Sequence, residues 1–233
     1  MRKWIALWLC LGGLMLVALT AGPALAAAEC DGLRVCLPVV GPWVVVGAGA
    51  AEYELACPLV GYVIGGTDAR VATPDVDVSF GGELGSPVGP GITTRRSVVF
   101  AAVRARAGAG ATSFQPFIGC IPTSGGGGRA LTSVAVAAAG SKPTSSIRSV
   151  GVNASIRRSS LTLRVKCPTG SRLVGSSHAT AFRQSLPPSV AQLGAVRVRR
   201  VVVNGVVIAR VSASDAAGST AEVQVRALCA RPR

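Results

Sequence analysis

The single histidine of the chain, His178, follows Ser176 and Ser177, and Asp215 lies downstream. A serine, an imidazole and a carboxylate could assemble a hydrolytic triad, in which the ring takes the hydroxyl proton and the carboxylate orients the ring. Adjacent residues of a strand point to opposite faces, however, and a triad is defined by geometry rather than adjacency. An internal repeat also gives Asp68 the place of His178, which suits a solvated loop histidine. A secreted hydrolase using His178 is therefore the lesser reading, and no catalytic residue is expected.

Two other constellations carry less than they suggest. Asp68, Asp75, Asp77 and Glu83 crowd one stretch of the first half. Calcium needs several oxygen ligands, but the spacing fits no EF-hand, and Val76 and Val78 alternate with Asp75 and Asp77 as in an ordinary strand. These carboxylates read as a solvated acidic loop, with no metal site. Zinc would need closely spaced Cys and His pairs, which the chain lacks. The run Val44 to Glu52 resembles a dinucleotide-binding turn, yet its sixth motif position is Glu52, where Gly or Ala is required. Tyr53 to Cys57 continues as a strand and leaves no room for the helix that would meet a pyrophosphate. Two strands joined by a small-residue turn are expected there, with no cofactor and no nucleotide.

Charge is the sharper signal. Residues 29–124 hold six Lys and Arg against eight Asp and Glu, whereas residues 125–233 hold sixteen against two. The chain has 21 Arg and 3 Lys, a bias typical of a high-GC genome, so the preference for Arg is no sign of bidentate chemistry. The asymmetry between the halves is a separate matter. Glu52 and Glu54 correspond in the repeat to Thr162 and Arg164. Arg157, Arg158, Arg164 and Lys166 lie on or near one strand; Arg197, Arg199, Arg200 and Arg210 lie on a hairpin. If Val203 pairs with Val206, Arg199 faces Arg210, and like charges directly opposite are destabilising. An anionic partner would relieve that cost. The candidates are a cell-wall polymer, an acidic polysaccharide, an anionic membrane surface or extracellular DNA. Phe182 is the one aromatic residue of this half, which argues against base stacking. A surface that only keeps an exported protein soluble is the plain alternative.

Period-two alternation supplies the framework for these residues. Leu161 to Cys167 alternates apolar and polar without a break, and Tyr53, Leu55 and Cys57 keep the same inward parity. Val223, Val225, Ala227 and Cys229 read as inward, with Glu222, Gln224 and Arg226 outward; Phe114, Ile118 and Cys120 match the inward set. Trp43 to Val46 reads as a short buried strand. Val196–Val203 and Val206–Ala213 flank Asn204-Gly205, the sequence of a two-residue type I′ turn. With 29 Gly and 14 Pro, long helices have little room.

The alternation occurs twice. Cys57-Pro58 returns as Cys167-Pro168, Val63-Ile64-Gly65-Gly66 as Leu173-Val174-Gly175-Ser176, Gln115 as Gln224, and Cys120 as Cys229. Both cysteines of each copy face inward, so the repeat predicts bridges Cys57–Cys120 and Cys167–Cys229. Cys30–Cys36 remains as a short N-terminal loop. Counting alone would allow about 15 connectivities. Closing each long loop stabilises the fold by about 4 kcal/mol in the chain-entropy model.

The Cys-Pro, Gly-Gly or Gly-Ser and closing Cys pattern, over about 57–122 and 167–231, resembles a tandem repeat of uncharacterised secreted proteins from high-GC bacteria. The second copy departs from it at Ser176. The resemblance implies export and β structure, and no activity.

The chain start agrees with export. Met1-Arg2-Lys3 is positive, Trp4 to Ala21 is apolar, and Ala24-Leu25-Ala26 offers small residues for cleavage, as in a secretory signal peptide. A retained membrane anchor is the alternative. Cys10 leaves with the signal, and an even set of six cysteines suits an oxidising compartment. The expected protein is all-β, with two tandem β-sandwich-like repeats, each stapled by a disulfide. Residues 1–28 are the signal peptide, 29–122 the first repeat, 123–149 a Gly/Ser/Pro-containing linker with a strand at Leu131–Ala138, and 150–233 the second, basic repeat. A single fused sandwich is the other architecture. The expected role is a non-enzymatic binding or structural module of the cell envelope or extracellular space, docking through the second repeat on an anionic polymer. A purely structural or protein-interaction role is the alternative.

Overall fold

The computed structural model describes residues 28–31, 33, 35–82, 96–106, 110–122, 146–156 and 160–231. Residues 1–27 of the expected signal peptide, Glu83, Leu131–Ala138, Arg157 and Arg158 lie outside them. The fold is all-β. In the first half the strands are β1 Leu37–Val40, β2 Trp43–Val46, β3 Ala51–Ala56, β4 Tyr62–Val71, β5 Val76–Gly82, β6 Ser97–Arg104 and β7 Thr112–Pro122. In the second they are β8 Ser146–Ser155, β9 Ser160–Lys166, β10 Arg172–Phe182, β11 Val196–Val203, β12 Val206–Ala213 and β13 Ala221–Arg231.

Both halves use one pairing order. The three-stranded sheet β3-β6-β5 has its counterpart in β9-β12-β11, and the long pair β4–β7 in β10–β13. β8 runs unbroken along β13, whereas β1 and β2 together cover β7 with a break at Gly41-Pro42. Proline cannot donate to a ladder, which accounts for the break. β2 then joins the halves. One edge pairs with β7 and the other with the end of β10, through Val44–Ala181 and Trp43–Phe182. One seven-stranded sheet therefore carries strands of both halves.

The parity of β2 and β10 separates two cores. Val44, Val46, Ala179 and Ala181 pack with Tyr53, Leu55, Phe100, Phe114 and Ile118. Val45 and Phe182 belong with Val207, Val211, Val223 and Val225. Successive strand residues face opposite sides, so the small sheets cover opposite faces of the large one. The predicted bridges are present: Cys57–Cys120, Cys167–Cys229 and Cys30–Cys36, with Cα atoms 5.8, 5.6 and 5.7 Å apart. The first two tie each small sheet to the large one.

Three expectations need correction. The register is broken at Gly65 and at Val174, so Gly66 lies opposite Gly119 as Gly175 lies opposite Leu228. Gly66 thus corresponds to Gly175, and His178 to Ala69 rather than Asp68. His178 is a strand residue of β10, not a loop residue. The acidic stretch is not one loop: Asp68 sits in β4, Asp77 in β5 and Asp75 in the turn between them, paired with Arg106 at 3.6 Å.

The Gly-Gly motif also has a different cause from a positive φ, which neither Gly65 nor Gly66 adopts. A short 3-10 turn at Ala28–Cys30 lies against the outer face of β4 and β7. A Cβ on Gly66 or Gly119 would run into the Glu29 carbonyl, and one on Gly119 would stand 2.7 Å from the Cys36 sulfur. The glycines make a bed for the Cys30–Cys36 loop.

Candidate functional site

Strand register decides where the second-half cations point. Along β11-β12-β9, Arg197 lies opposite Ser212 and Ser160, Arg199 opposite Arg210 and Thr162, Val201 opposite Ile208 and Arg164, and Val203 opposite Val206 and Lys166. Directly opposed residues share a face. Val207, Ala209 and Val211, on the alternate parity, are the buried ones. Arg197, Arg199, Arg210, Arg164 and Lys166 therefore converge on the solvent face, all of them exposed. Arg200 has the opposite parity and turns toward β10. The Arg199–Arg210 juxtaposition expected from the hairpin is present. Asn204 at φ 50° and Gly205 at φ 73° supply the two positive angles a type I′ turn requires.

No Asp or Glu occurs in β9, β11 or β12. Among the described residues, the ion pairs are formed by Arg106, Arg183 and Arg226, none of them on this sheet. The solvent face thus carries five cations with no ion-pair partner among the described residues. Its apolar members, Val201, Val203, Val206 and Ile208, gather at the turn end.

His178 lies in a groove of about 510 Å³ lined by residues of β10 and β11 and by the small residues Gly47–Ala51. Arg200 Nη1 approaches its Nδ1 at 3.4 Å. Burial and this guanidinium both hold the imidazole below its ordinary pKa. The ring's hydrogen-bond partner is a cation rather than a carboxylate. Ser177 occupies the opposite face of β10, and its buried Oγ has no hydrogen-bond partner among the described residues. Asp68, Asp75 and Asp77 do not group: no three metal-ligating side chains stand together among the described residues.

A second polar cluster lies where outward residues were expected. Glu222, Gln224 and Arg226 are buried, at 9, 4 and 2 % exposure, because β3 of the first half lies over that face of β13. Arg226 Nε donates to Glu54 Oε2 and to Ser149 Oγ, each at 2.9 Å, and Glu52 lies 3.8 Å from Nη1. Gly151 lies opposite Arg226 and leaves room for its stem. The Gln224 amide accepts from the Glu54 N–H at 2.6 Å and donates to the Glu54 carbonyl at 2.9 Å. It occupies the edge of β3 as a neighbouring strand would, which protects that edge. Tyr53 donates to Glu222 at 2.8 Å, and Arg183 completes the set at 3.1 Å. Burial and the Glu222 carboxylate push the Tyr53 pKa up. The excess acid on the first half is thus partly structural: Glu52 and Glu54 answer Arg226. The signal was the pair Phe117 and Arg226, which hold the same register position in the two halves. Phe117 is covered by Arg70, 5.7 Å from its ring centroid, whereas Arg226 is covered by acids.

The chain matches no protein-family model, no curated protein and no solved structure.

Proposed function

We propose that this is an exported, non-enzymatic binding module, built from two copies of one unit, whose second half docks on an anionic envelope component or extracellular polymer. The observation that carries the reading is the convergence of Arg164, Lys166, Arg197, Arg199 and Arg210 on one acid-free sheet face. Holding Arg199 opposite Arg210 costs free energy in the free protein, and an anion laid across the pair offsets it. Export is supported by the leader-like start and by three disulfides, which persist in oxidising compartments.

The test is salt-dependent retention on immobilised heparin or wall polymer. Binding carried by charge falls steeply as ionic strength rises. R199Q/R210Q is expected to elute at clearly lower salt than wild type, with an unchanged melting temperature or a higher one. Failure of the wild type to bind at low salt overturns the reading, as does a variant that elutes with it.

A further inference from the structure

We infer that the anionic partner of this face is a lipid bilayer, entered by the apolar end of the β11–β12 hairpin. This rests on the polyanion reading and narrows it. Val201, Val202 and Val203 close β11 at the turn and are 49, 52 and 49 % exposed. Val201 and Val203 share the solvent face with Ile208 and Val206. A soluble polyanion satisfies the arginines but leaves these valines in water. Hydrocarbon takes up the valines as well, since burying apolar surface is favourable.

Arg199 and Arg210 stand behind the apolar rows, where lipid headgroups would be, and Arg164 and Lys166 flank those rows. Lys166 lies beside Val206, Arg164 beside Ile208, and Arg199 and Arg210 one row further from the turn. Long basic side chains lay their aliphatic stems along apolar surface while the charged head stays at the aqueous boundary. Next to an anionic leaflet each such charge adds attraction. A second copy of the chain is the rival occupant, because β11 is the edge of its sheet. Charge opposes it: antiparallel pairing of two β11 strands along their full length sets Arg199 of each copy against Arg200 of the other.

The experiment uses the chain from residue 28 on, which carries the whole described fold and omits the apolar segment that would itself bind lipid. Vesicles are phosphatidylcholine with or without phosphatidylglycerol. Sedimentation with the anionic vesicles and not the neutral ones is expected. V201T/V202T/V203T preserves shape, β-branching and charge. It is expected to lose at least about tenfold in vesicle affinity while eluting from heparin with the wild type. In V202W, subtracting the wild-type emission of Trp43 should leave a signal that shifts to the blue with anionic vesicles and is quenched by brominated lipid. Unchanged vesicle affinity in the threonine variant, or an unshifted V202W emission, overturns the proposal. So does a wild-type dimer that the threonine substitutions abolish while vesicles are ignored. Heparin retention without vesicle binding rejects the bilayer alone, whereas loss of both rejects the polyanion reading itself.

Discussion

Replacing Arg226 with methionine tests whether the contact between the halves is held by charge. The guanidinium is nearly inaccessible, at 2 %, while the Glu54 and Glu52 side chains keep 20 and 39 % of their exposure. Removing one member of a buried pair costs about 3–5 kcal/mol, chiefly because the other charge is stranded. Glu54 retains Ser149 Oγ at 3.0 Å and some access to water, so R226M belongs at the low end, about 3 kcal/mol. For a chain of this size that lowers Tm by about 6–12 °C. Glu54→Gln strands the guanidinium instead, with Glu52 at 3.8 Å as its remaining carboxylate, and should cost about 4 kcal/mol. The double variant strands neither charge, so its cost should fall short of the sum by about 2 kcal/mol or more. Arg183→Met is the control, since that side chain is 63 % exposed; about 1 kcal/mol or less is expected. Urea unfolding of the four proteins, followed by circular dichroism, gives the cycle. Single costs that add within about 0.5 kcal/mol, or an R226M protein as stable as wild type, would refute the reasoning.

Two further outcomes follow from named contacts. Gly119→Ala should displace the Cys30–Cys36 loop, because its Cβ meets the Glu29 backbone, at a cost of about 1–3 kcal/mol. Gly175→Ala, whose nearest neighbour is a Leu228 methyl at 3.3 Å, should be tolerated, and amide exchange of residues 28–36 separates the two. For His178, the folded ring binds its proton less readily than the unfolded one, whose ordinary value is 6.5. Its contribution to stability is therefore complete above that value and lost as pH falls through the folded pKa. Wild type should lose stability relative to His178→Gln on acidification, and Arg200→Gln should raise the ring's pKa in an NMR titration. An unmoved titration would contradict the Arg200 contact.

Much of this architecture was legible in residue types because it depends on period and parity. Leu161 to Cys167 and Val223 to Cys229 alternate, so their buried faces and the disulfides between them follow from a strand's two-residue repeat. Asn204-Gly205 set the hairpin register, and with it the meeting of Arg199 and Arg210. The polar parity of β13 does not reveal its burial, because alternation says which residues share a face, not what lies over that face. Glu222, Gln224 and Arg226 read as solvent-facing, and are buried because β3, about 170 residues distant in the chain, lies across them. The Gly66–Gly119 bed has the same origin in a long-range contact, with Glu29. Local order was written in the sequence by side-chain periodicity. The pairing of β2 with β10, which makes one sheet of two halves and decides which charges meet water, was settled only by tertiary packing.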